Sequence, residues 1–268
     1  MKKTSRLNIE RSAIMLLTVL LCIALPNLLL RAHNTSIAIS QDDYPELYAP
    51  YNEPIPVSAE HKAVYLTFDD GPSPNTEHIL EILRERGAKA TFFVTAQYWK
   101  EEYLAHMYEQ IIEEGHTLGL HSYSHEFSEI YAEPDAYLKD IDRLRELIEK
   151  SCGYRPSIMR FPGGSKTANA SKHTMGTLIS EMESRGYKWY DWDISVGDDE
   201  TNLRSPEDIA KSIIDGVRGR RGASVILCHD NETPKTTPDG IRIAIDELYN
   251  QGYEFYALSP TRYLISAE

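Results

Sequence analysis

The sequence predicts an α/β fold, a distorted (β/α) barrel of about seven parallel strands. From about residue 61 onward, short apolar runs typical of strands alternate with helical patterns, the order of a mostly parallel sheet with helices outside it. The distinctive polar clusters fall at the C-terminal ends of these runs. That edge carries the active site both in α/β barrels and in open sheets, so an open sheet is the alternative that the pattern leaves.

The individual elements follow from the apolar runs and their spacing. Strands are predicted over 63–68, 90–95, 117–120, 157–161, 187–193, 223–228 and 254–258. Helices are predicted near 75–86, 101–114, 134–150, 173–185, 206–218 and 238–251, where apolar residues recur with helical spacing. Asn75 and Thr76 are candidate caps of the first helix, and Gly87 is its candidate end. Ser205 followed by Pro206 is a typical helix start.

The N-terminal part of the chain is predicted to lie outside the folded domain. Its first basic residues are Lys2, Lys3, Arg6 and Arg11. The apolar run over 13–30 that follows them predicts a signal anchor or a signal peptide over 1–31. We favour an uncleaved membrane anchor with an extracytoplasmic domain; the protein is secreted if the leader is cleaved. Residues 32–60, rich in proline and tyrosine, are predicted to be a linker, whose tyrosines can still pack on the domain.

The composition argues against two classes of protein. With 28 basic against 41 acidic residues, the net charge is −13, whereas a nucleic-acid binder normally carries a basic patch. Polysaccharides remain possible partners, because neutral sugars are bound by hydrogen bonds and ring stacking. Three cysteines do not make a disulfide framework. Cys22 lies in the apolar run. Cys152 and Cys228 could pair with each other, but they are predicted to be separate, small buried residues.

Carboxylates and histidines at predicted strand ends indicate a metal site. Asp69 and Asp70 end the first strand, where two adjacent charges are costly if they are buried without partners. His121 and His125 follow the third strand. Each pair taken alone is more often structural. Together, one carboxylate and two histidines make a three-ligand set that leaves positions open for water and substrate.

Five segments resemble, in order, the motifs of the polysaccharide deacetylase family, also called the NodB homology domain or carbohydrate esterase family 4. The segments are TFDDG at 67–71, HSYSH at 121–125, RFPGG at 160–164, DISVGD at 193–198 and LCH at 227–229. The resemblance implies that residues 61–265 form a NodB-like barrel with catalytic activity. It also implies hydrolysis of N-acetyl groups on acetylamino sugars.

The resemblance implies one divalent metal ion held by Asp70, His121 and His125. Such an ion lowers the pKa of a water molecule and polarises the acetyl carbonyl. Zinc is the expected metal, and cobalt, iron(II) or manganese suit the same ligands. Asp69, next to a ligand, is the candidate general base. His229 is the candidate general acid for the departing amine.

The other site residues are expected to support this chemistry. Arg160 is a fixed cation that would orient Asp69 and keep it ionised. Asp198 would restrain His229 or Arg160, and the family pattern favours Arg160. The substrate-binding residues that the resemblance implies are Pro162, Gly163 and Leu227. A backbone N–H near Gly163 would complete an oxyanion site, and Leu227 would line the pocket for the acetyl methyl group.

Two positions depart from the family pattern. Family members often carry an aromatic residue where this chain has Gly163, and a tryptophan where it has Asp199. The wall of the acetyl pocket is therefore expected to come from elsewhere, and Trp192 is the candidate. These departures leave the substrate preference undetermined, whereas the predicted hydrolysis does not depend on them.

The sequence thus predicts a metal-dependent deacetylase of an N-acetylated cell-envelope glycan, with peptidoglycan as first choice and chitin-like oligomers as second. The predicted partners are this glycan and, through the N-terminal segment, a membrane. Two alternatives stay open: an O-acetyl ester deacetylase of a xylan-type polysaccharide, and a non-catalytic glycan-binding protein on the same scaffold. A two-carboxylate glycosidase is disfavoured, because the adjacent Asp69 and Asp70 cannot flank a glycosidic bond from opposite faces.

Overall fold

The structure, a computed structural model, describes residues 43–50, 55–57, 62–199, 204–233, 235–259 and 262–264. The predicted anchor or signal segment over 1–31 lies outside these residues, as does most of the predicted linker. The chain divides after Asp43 into two units, and the second unit carries every element given below. Among the described helices, none is both long enough and apolar enough to cross a membrane.

Strands and helices alternate along most of the described chain. The strands are β1 (Ile55–Val57), β2 (Ala63–Asp69), β3 (Ala90–Val94), β4 (Thr117–Leu120), β5 (Ile158–Met159), β6 (Lys188–Trp189), β7 (Ile194–Ser195), β8 (Ser224–His229), β9 (Glu254–Phe255) and β10 (Arg262–Leu264). The helices are α1 (Pro74–Arg86), α2 (Glu101–Glu113), α3 (Phe127–Ile130), α4 (Pro134–Cys152), α5 (Lys172–Ser184), α6 (Pro206–Arg218) and α7 (Thr237–Asn250). The sequence did not predict α3, because a helix of 4 residues is too short to show a period.

The strands form a curled parallel sheet that does not close. Its order is β6-β5-β4-β3-β2-β8-β7, and β9 pairs with β2 beside the start of β3. The strands β6 and β7 follow one another along the chain yet lie at opposite ends of this order. The barrel is therefore open along a seam between them, which confirms the predicted distorted (β/α) barrel. Separately, β1 and β10 form a two-stranded parallel sheet.

The prediction of one strand over 187–193 is wrong. The ladder of β6 stops after Trp189, and the chain then crosses the seam to β7. The carbonyl oxygens of Tyr190 and Asp191 accept hydrogen bonds from the Arg160 guanidinium, at 2.9 Å and 3.1 Å, instead of continuing the ladder. The apolar pattern of this run does not show that the distant Arg160 side chain will donate hydrogen bonds to its backbone carbonyl groups.

The inside of the barrel is a packed core. The central strands β2 and β3 are buried along their whole length, which explains their nearly continuous apolar sequences. One interior cluster consists of Ala63, Tyr65, Phe93, Ile158, Tyr190, Val225 and Leu258. Cys228 is buried on β8, and neither it nor Cys152 forms a disulfide, as predicted. The side chains at the C-terminal rim of the sheet therefore stand on rigid elements.

The start of α1 differs from the prediction. Ser73, rather than Asn75 or Thr76, is the N-cap, and its hydroxyl accepts from the Asn75 backbone N–H at 3.0 Å. The Thr76 hydroxyl accepts from the Ser73 backbone N–H at 2.8 Å, which completes a capping box. Pro74 takes the first helical position, where its missing N–H costs nothing. Gly87 ends the helix in the left-handed conformation, as predicted.

Part of the predicted linker packs on the folded domain. Leu47 is fully buried, and the Ala49 N–H donates to the Arg185 carbonyl oxygen at 2.9 Å. The buried Arg185 guanidinium donates to the Tyr44 carbonyl oxygen at 2.9 Å and also lies over the rings of Tyr44 and Tyr48. Such cation–π contacts are strongest when the cation is desolvated. This segment therefore belongs to the domain rather than to a free linker.

Candidate active site

The predicted polar residues meet at one rim of the barrel. Asp69 ends β2 and His229 ends β8, and the two residues are paired in register across these adjacent strands. His121 follows β4, and Arg160 follows β5. Because parallel strands bring their C-terminal ends to one edge, residues far apart in the sequence become neighbours here.

Asp70, His121 and His125 form the candidate metal-binding set. Asp70 Oδ1 lies 3.3 Å from His121 Nε2 and 3.2 Å from His125 Nε2. One possible ligand atom from each residue lies within 4.8 Å of the other two. Asp70 Oδ1 is buried and has no hydrogen-bond partner among the described residues. A buried acceptor without a donor is costly, and a cation between these atoms would satisfy it.

The protonation of these residues also suits a divalent cation. His121 Nδ1 lies 2.8 Å from the Arg160 carbonyl oxygen. Since a carbonyl only accepts, Nδ1 carries a proton, and in the neutral imidazole Nε2 then presents its lone pair to the site. Burial opposes the ionisation of Asp70, but the imidazoles of His121 and His125 outweigh it and hold the pKa of that carboxyl well below its usual range. Burial lowers the pKa of His125, which keeps this imidazole neutral and able to bind metal.

His121 would couple metal binding to proton release. Burial by itself lowers the pKa of His121, but Asp69 and Asp70 outweigh it and raise this pKa above its ordinary value. A cation at the same place would be attracted by the same two carboxylates and would compete with the proton. The donor set therefore fits a divalent metal ion.

Asp69 and Arg160 form a buried ion pair beside the metal set. Arg160 Nη1 donates to Asp69 Oδ1 at 2.8 Å and to Thr67 Oγ1 at 2.7 Å. Asp69 is 3% exposed and Arg160 is 0% exposed, and the guanidinium packs over the Phe93 ring. The other carboxylate oxygen, Asp69 Oδ2, lies 3.8 Å from His121 Nε2. The buried cation thus balances the charge of Asp69 and holds one of its oxygens near the metal set.

Of the two partners that the sequence left open for Asp198, the structure pairs it with His229 and not with Arg160, which the family pattern favours. Asp198 Oδ1 lies 2.8 Å from His229 Nδ1, and Asp198 Oδ2 accepts from the His229 backbone N–H at 3.0 Å and from Thr237 Oγ1 at 2.7 Å. The Arg160 donors are engaged by Asp69 and by the backbone after β6. Burial lowers the pKa of His229, but the hydrogen bond and the charge of Asp198 outweigh it and raise this pKa to about 9. His229 is therefore protonated at neutral pH.

Asp230, which none of the sequence motifs includes, supports the site. Its carboxylate accepts from the Gly71 backbone N–H at 2.9 Å and from Thr76 Oγ1 at 2.5 Å, which ties the loop after Asp70 to the end of β8. A Cβ on residue 71 would come within 2.2 Å of this carboxylate, so the close approach requires glycine. The position of Asp230 directly after His229 is the signal that could have identified it.

The predicted substrate-binding residues lie on β8 and in the loop after β5. Pro162 and Gly163 belong to that loop, and Gly163 has a φ of 72°, in the left-handed region that favours glycine. A Cβ on Gly164 would come within 2.9 Å of the Trp192 ring, so Trp192 lies directly against the loop and stays the candidate pocket wall. Leu227 is buried on β8, and its contact with substrate stays a prediction.

Comparison with known proteins agrees with the motifs. Residues 57–177 match the family model described as polysaccharide deacetylase. A peptidoglycan-N-acetylglucosamine deacetylase of Bacillus cereus is 30% identical over 200 residues, which make up 74% of this chain and 70% of that relative. The similarity therefore extends over most of both proteins.

Solved structures share the fold. The catalytic domain of a peptidoglycan N-acetylglucosamine deacetylase from Eubacterium rectale aligns with a TM-score of 0.72 at 30% identity, over 81% of this chain and 97% of that domain. A family 4 acetyl xylan esterase from Clostridium thermocellum, in complex with a cobalt ion, aligns with a TM-score of 0.60 at 28% identity, over 73% of this chain and 87% of the esterase. This chain therefore belongs to the polysaccharide deacetylase family, carbohydrate esterase family 4, and is a hydrolase of that family.

Proposed function

We propose that this protein removes N-acetyl groups from the acetylamino sugars of cell-wall peptidoglycan. The observation that carries the proposal is the placement of a candidate base and a candidate acid around one metal-binding set. Asp69 Oδ2 lies 3.8 Å from His121 Nε2 of that set. His229, which is protonated at neutral pH, ends the neighbouring strand β8. The relatives from Bacillus cereus and Eubacterium rectale are peptidoglycan N-acetylglucosamine deacetylases, which supports this choice of glycan.

The proposed mechanism assigns one task to each group. Asp70, His121 and His125 would hold a divalent ion, which when bound polarises the acetyl carbonyl and makes water more acidic. Asp69 accepts the proton of the attacking water, and the backbone N–H of Gly163 donates to the oxygen that becomes negative. His229 then donates its proton to the departing sugar nitrogen, because an amine leaves only after protonation.

Asp198→Asn is expected to shift the alkaline limit of activity to lower pH. His229 can act as an acid only while it is protonated, so its contribution is present below pH about 9 and is lost as the pH rises through that value. Asparagine removes the negative charge that raises this pKa, which moves the limit toward the ordinary histidine value. The pH dependence of kcat/KM for release of acetate measures the limit. An unchanged alkaline limit would contradict the role of Asp198.

The choice of glycan is tested with the full-length protein. Purified peptidoglycan and chitin oligomers are incubated with the metal-loaded enzyme, and mass spectrometry follows the loss of acetyl groups. We expect deacetylated peptidoglycan as the main product. Chitin oligomers as the better substrate would reverse the order of preference. Absence of acetate release from every N-acetylated glycan would favour the non-catalytic glycan-binding function.

Ester hydrolysis is the second candidate function. The cobalt-containing relative is an acetyl xylan esterase, and the same arrangement of base and metal set could act on an acetyl ester. Only the leaving atom differs between the two reactions. An alcohol needs less help from a general acid than an amine does, so the ester reaction depends less on His229. Faster acetate release from acetyl xylan than from the N-acetylated glycans would establish this alternative.

Zinc is the metal that we propose first. Imidazole and carboxylate ligands suit zinc in a site with open positions, and they also suit cobalt, iron(II) or manganese. Elemental analysis of the protein purified without added metal, followed by reconstitution of the chelated protein with each ion, measures the preference.

We further propose that residues 1–31 anchor the protein in a membrane, with the deacetylase domain on the extracytoplasmic side. The basic residues ahead of the apolar run over 13–30 support this orientation. Cell fractionation is expected to place the intact chain with the membranes. N-terminal sequencing that finds the mature chain starting beyond residue 31 would show instead a cleaved leader and a secreted enzyme.

A further inference from the structure

Two of the three candidate metal ligands have a strained backbone. Asp70 has a φ of 76° and His125 a φ of 57°, and these are the two non-glycine residues with positive φ in the described part of the chain. This left-handed conformation costs free energy for a residue with a Cβ. It persists only where the surroundings hold it in place. The structure must therefore contain groups that fix the two ligand-bearing loops.

The loop over 121–125 is held by one carboxylate from outside the motifs. Asp140, on α4, accepts at Oδ2 from Ser122 Oγ at 2.6 Å and from the Tyr123 backbone N–H at 2.7 Å. At Oδ1 it accepts from the Ser124 backbone N–H at 3.0 Å. Three donors from three consecutive residues thus converge on a single side chain.

The same network reaches the strained ligand itself. Ser122 Oγ, which donates to Asp140, accepts from the His125 backbone N–H at 2.9 Å. The hydroxyl therefore relays the restraint from α4 to the second histidine. A second contact supports the loop from the same helix, because the Arg143 guanidinium lies 3.7 Å from the centre of the Tyr123 ring.

We infer that Asp140 is a positioning residue that sets the spacing of His121 and His125 and thereby the affinity for the divalent metal. It is not one of the residues that can offer a ligand atom to the set, and it acts through the backbone of the loop. The inference rests on the metal-binding part of the proposed function. It does not depend on which glycan is the substrate.

Asp140→Asn tests this inference with little change in size. An amide has one acceptor oxygen, so its NH₂ group would face at least one donor of the loop. We expect the dissociation constant of zinc to rise about 10- to 100-fold, as is typical when a group that orients metal ligands is changed. The measurement is competition with a chromophoric chelator, using the full-length protein stripped of metal.

Glu146→Gln is the matched control. Glu146 lies on the same helix, is exposed, and loses the same charge on substitution. We expect its zinc affinity to equal that of the wild type. An equal loss of zinc affinity in Glu146→Gln and Asp140→Asn would show that the change in net charge alone causes the effect, and it would overturn the inference. Unchanged zinc affinity in Asp140→Asn would also overturn it.

Two further measurements separate positioning from general stability. The visible spectrum of bound cobalt reports the geometry of the ligands, and we expect it to change in Asp140→Asn but not in Glu146→Gln. If Asp140→Asn does not fold, Ser122→Ala breaks the same relay from the loop side and should weaken zinc binding in the same direction. In Ser122→Ala, unchanged affinity together with an unchanged cobalt spectrum would refute the relay. A wild type that binds zinc but deacetylates no glycan would refute the proposed function alone.

Discussion

Asp69→Asn is expected to lower kcat for deacetylation by about 10²- to 10⁴-fold, the usual contribution of a general base, while the protein keeps its metal. Asparagine has nearly the same shape but cannot accept a proton from water. Its oxygen can still accept the hydrogen bond that Arg160 donates to Asp69 Oδ1 at 2.8 Å, so the buried guanidinium stays partly satisfied. Acetate release and metal content, measured on the same sample, check both halves of the prediction.

Asp246→Asn is a suitable control for this variant. Asp246 also pairs with an arginine, Arg86, at 2.7 Å and 2.9 Å, but Asp246 is exposed, Arg86 is half-buried, and neither belongs to the metal set. We expect full activity in the control. Full activity in Asp69→Asn would reject Asp69 as the base. Loss of metal in Asp69→Asn would show instead that Asp69 contributes to the metal site.

His121→Ala is expected to abolish both metal binding and hydrolysis. The imidazole is 2% exposed, and its Nδ1 is engaged with the Arg160 carbonyl at 2.8 Å, so its removal leaves the metal set with two of its three protein ligands. Removing one of three protein ligands should weaken metal binding by more than the roughly 10- to 100-fold that changes in surrounding groups produce. Titration of the metal-free protein with zinc measures the loss.

His173→Ala provides the comparison for His121→Ala. His173 is exposed on α5, and its removal should leave zinc affinity and acetate release unchanged. Wild-type affinity in His121→Ala would reject this histidine as a ligand. Metal content tells the two variants apart, because Asp69→Asn should lose turnover but keep its metal, whereas His121→Ala should lose both.

Much of the site could be predicted because its residues end parallel strands. Asp69 and His229 each close an apolar run, and the register of β2 with β8 then makes them neighbours. The position of a polar residue at a strand end is a local property, and it can be read from the apolar run that the residue closes. Spatial proximity at the rim follows from the parallel sheet itself.

The partner of Asp198 could not be predicted in the same way. His229 and Arg160 both lie at the rim, and sequence spacing does not distinguish them. The choice depends on which donors are already occupied: the Arg160 guanidinium bonds to Asp69 and to the carbonyls of Tyr190 and Asp191. The same competition for backbone acceptors explains why the strand predicted over 187–193 ends early.

The chemical groups of the site, and the edge of the sheet at which they gather, follow from the amino-acid sequence, because each is marked by a short apolar run and the polar residues that close it. The pairings among those groups follow only from the tertiary structure. Asp140 and Asp230 have no distinguishing pattern of their own, yet they hold the loops that carry His125 and Asp70. A hydrogen bond depends on the direction of both groups and on every competing donor nearby, and these are properties of the folded chain as a whole.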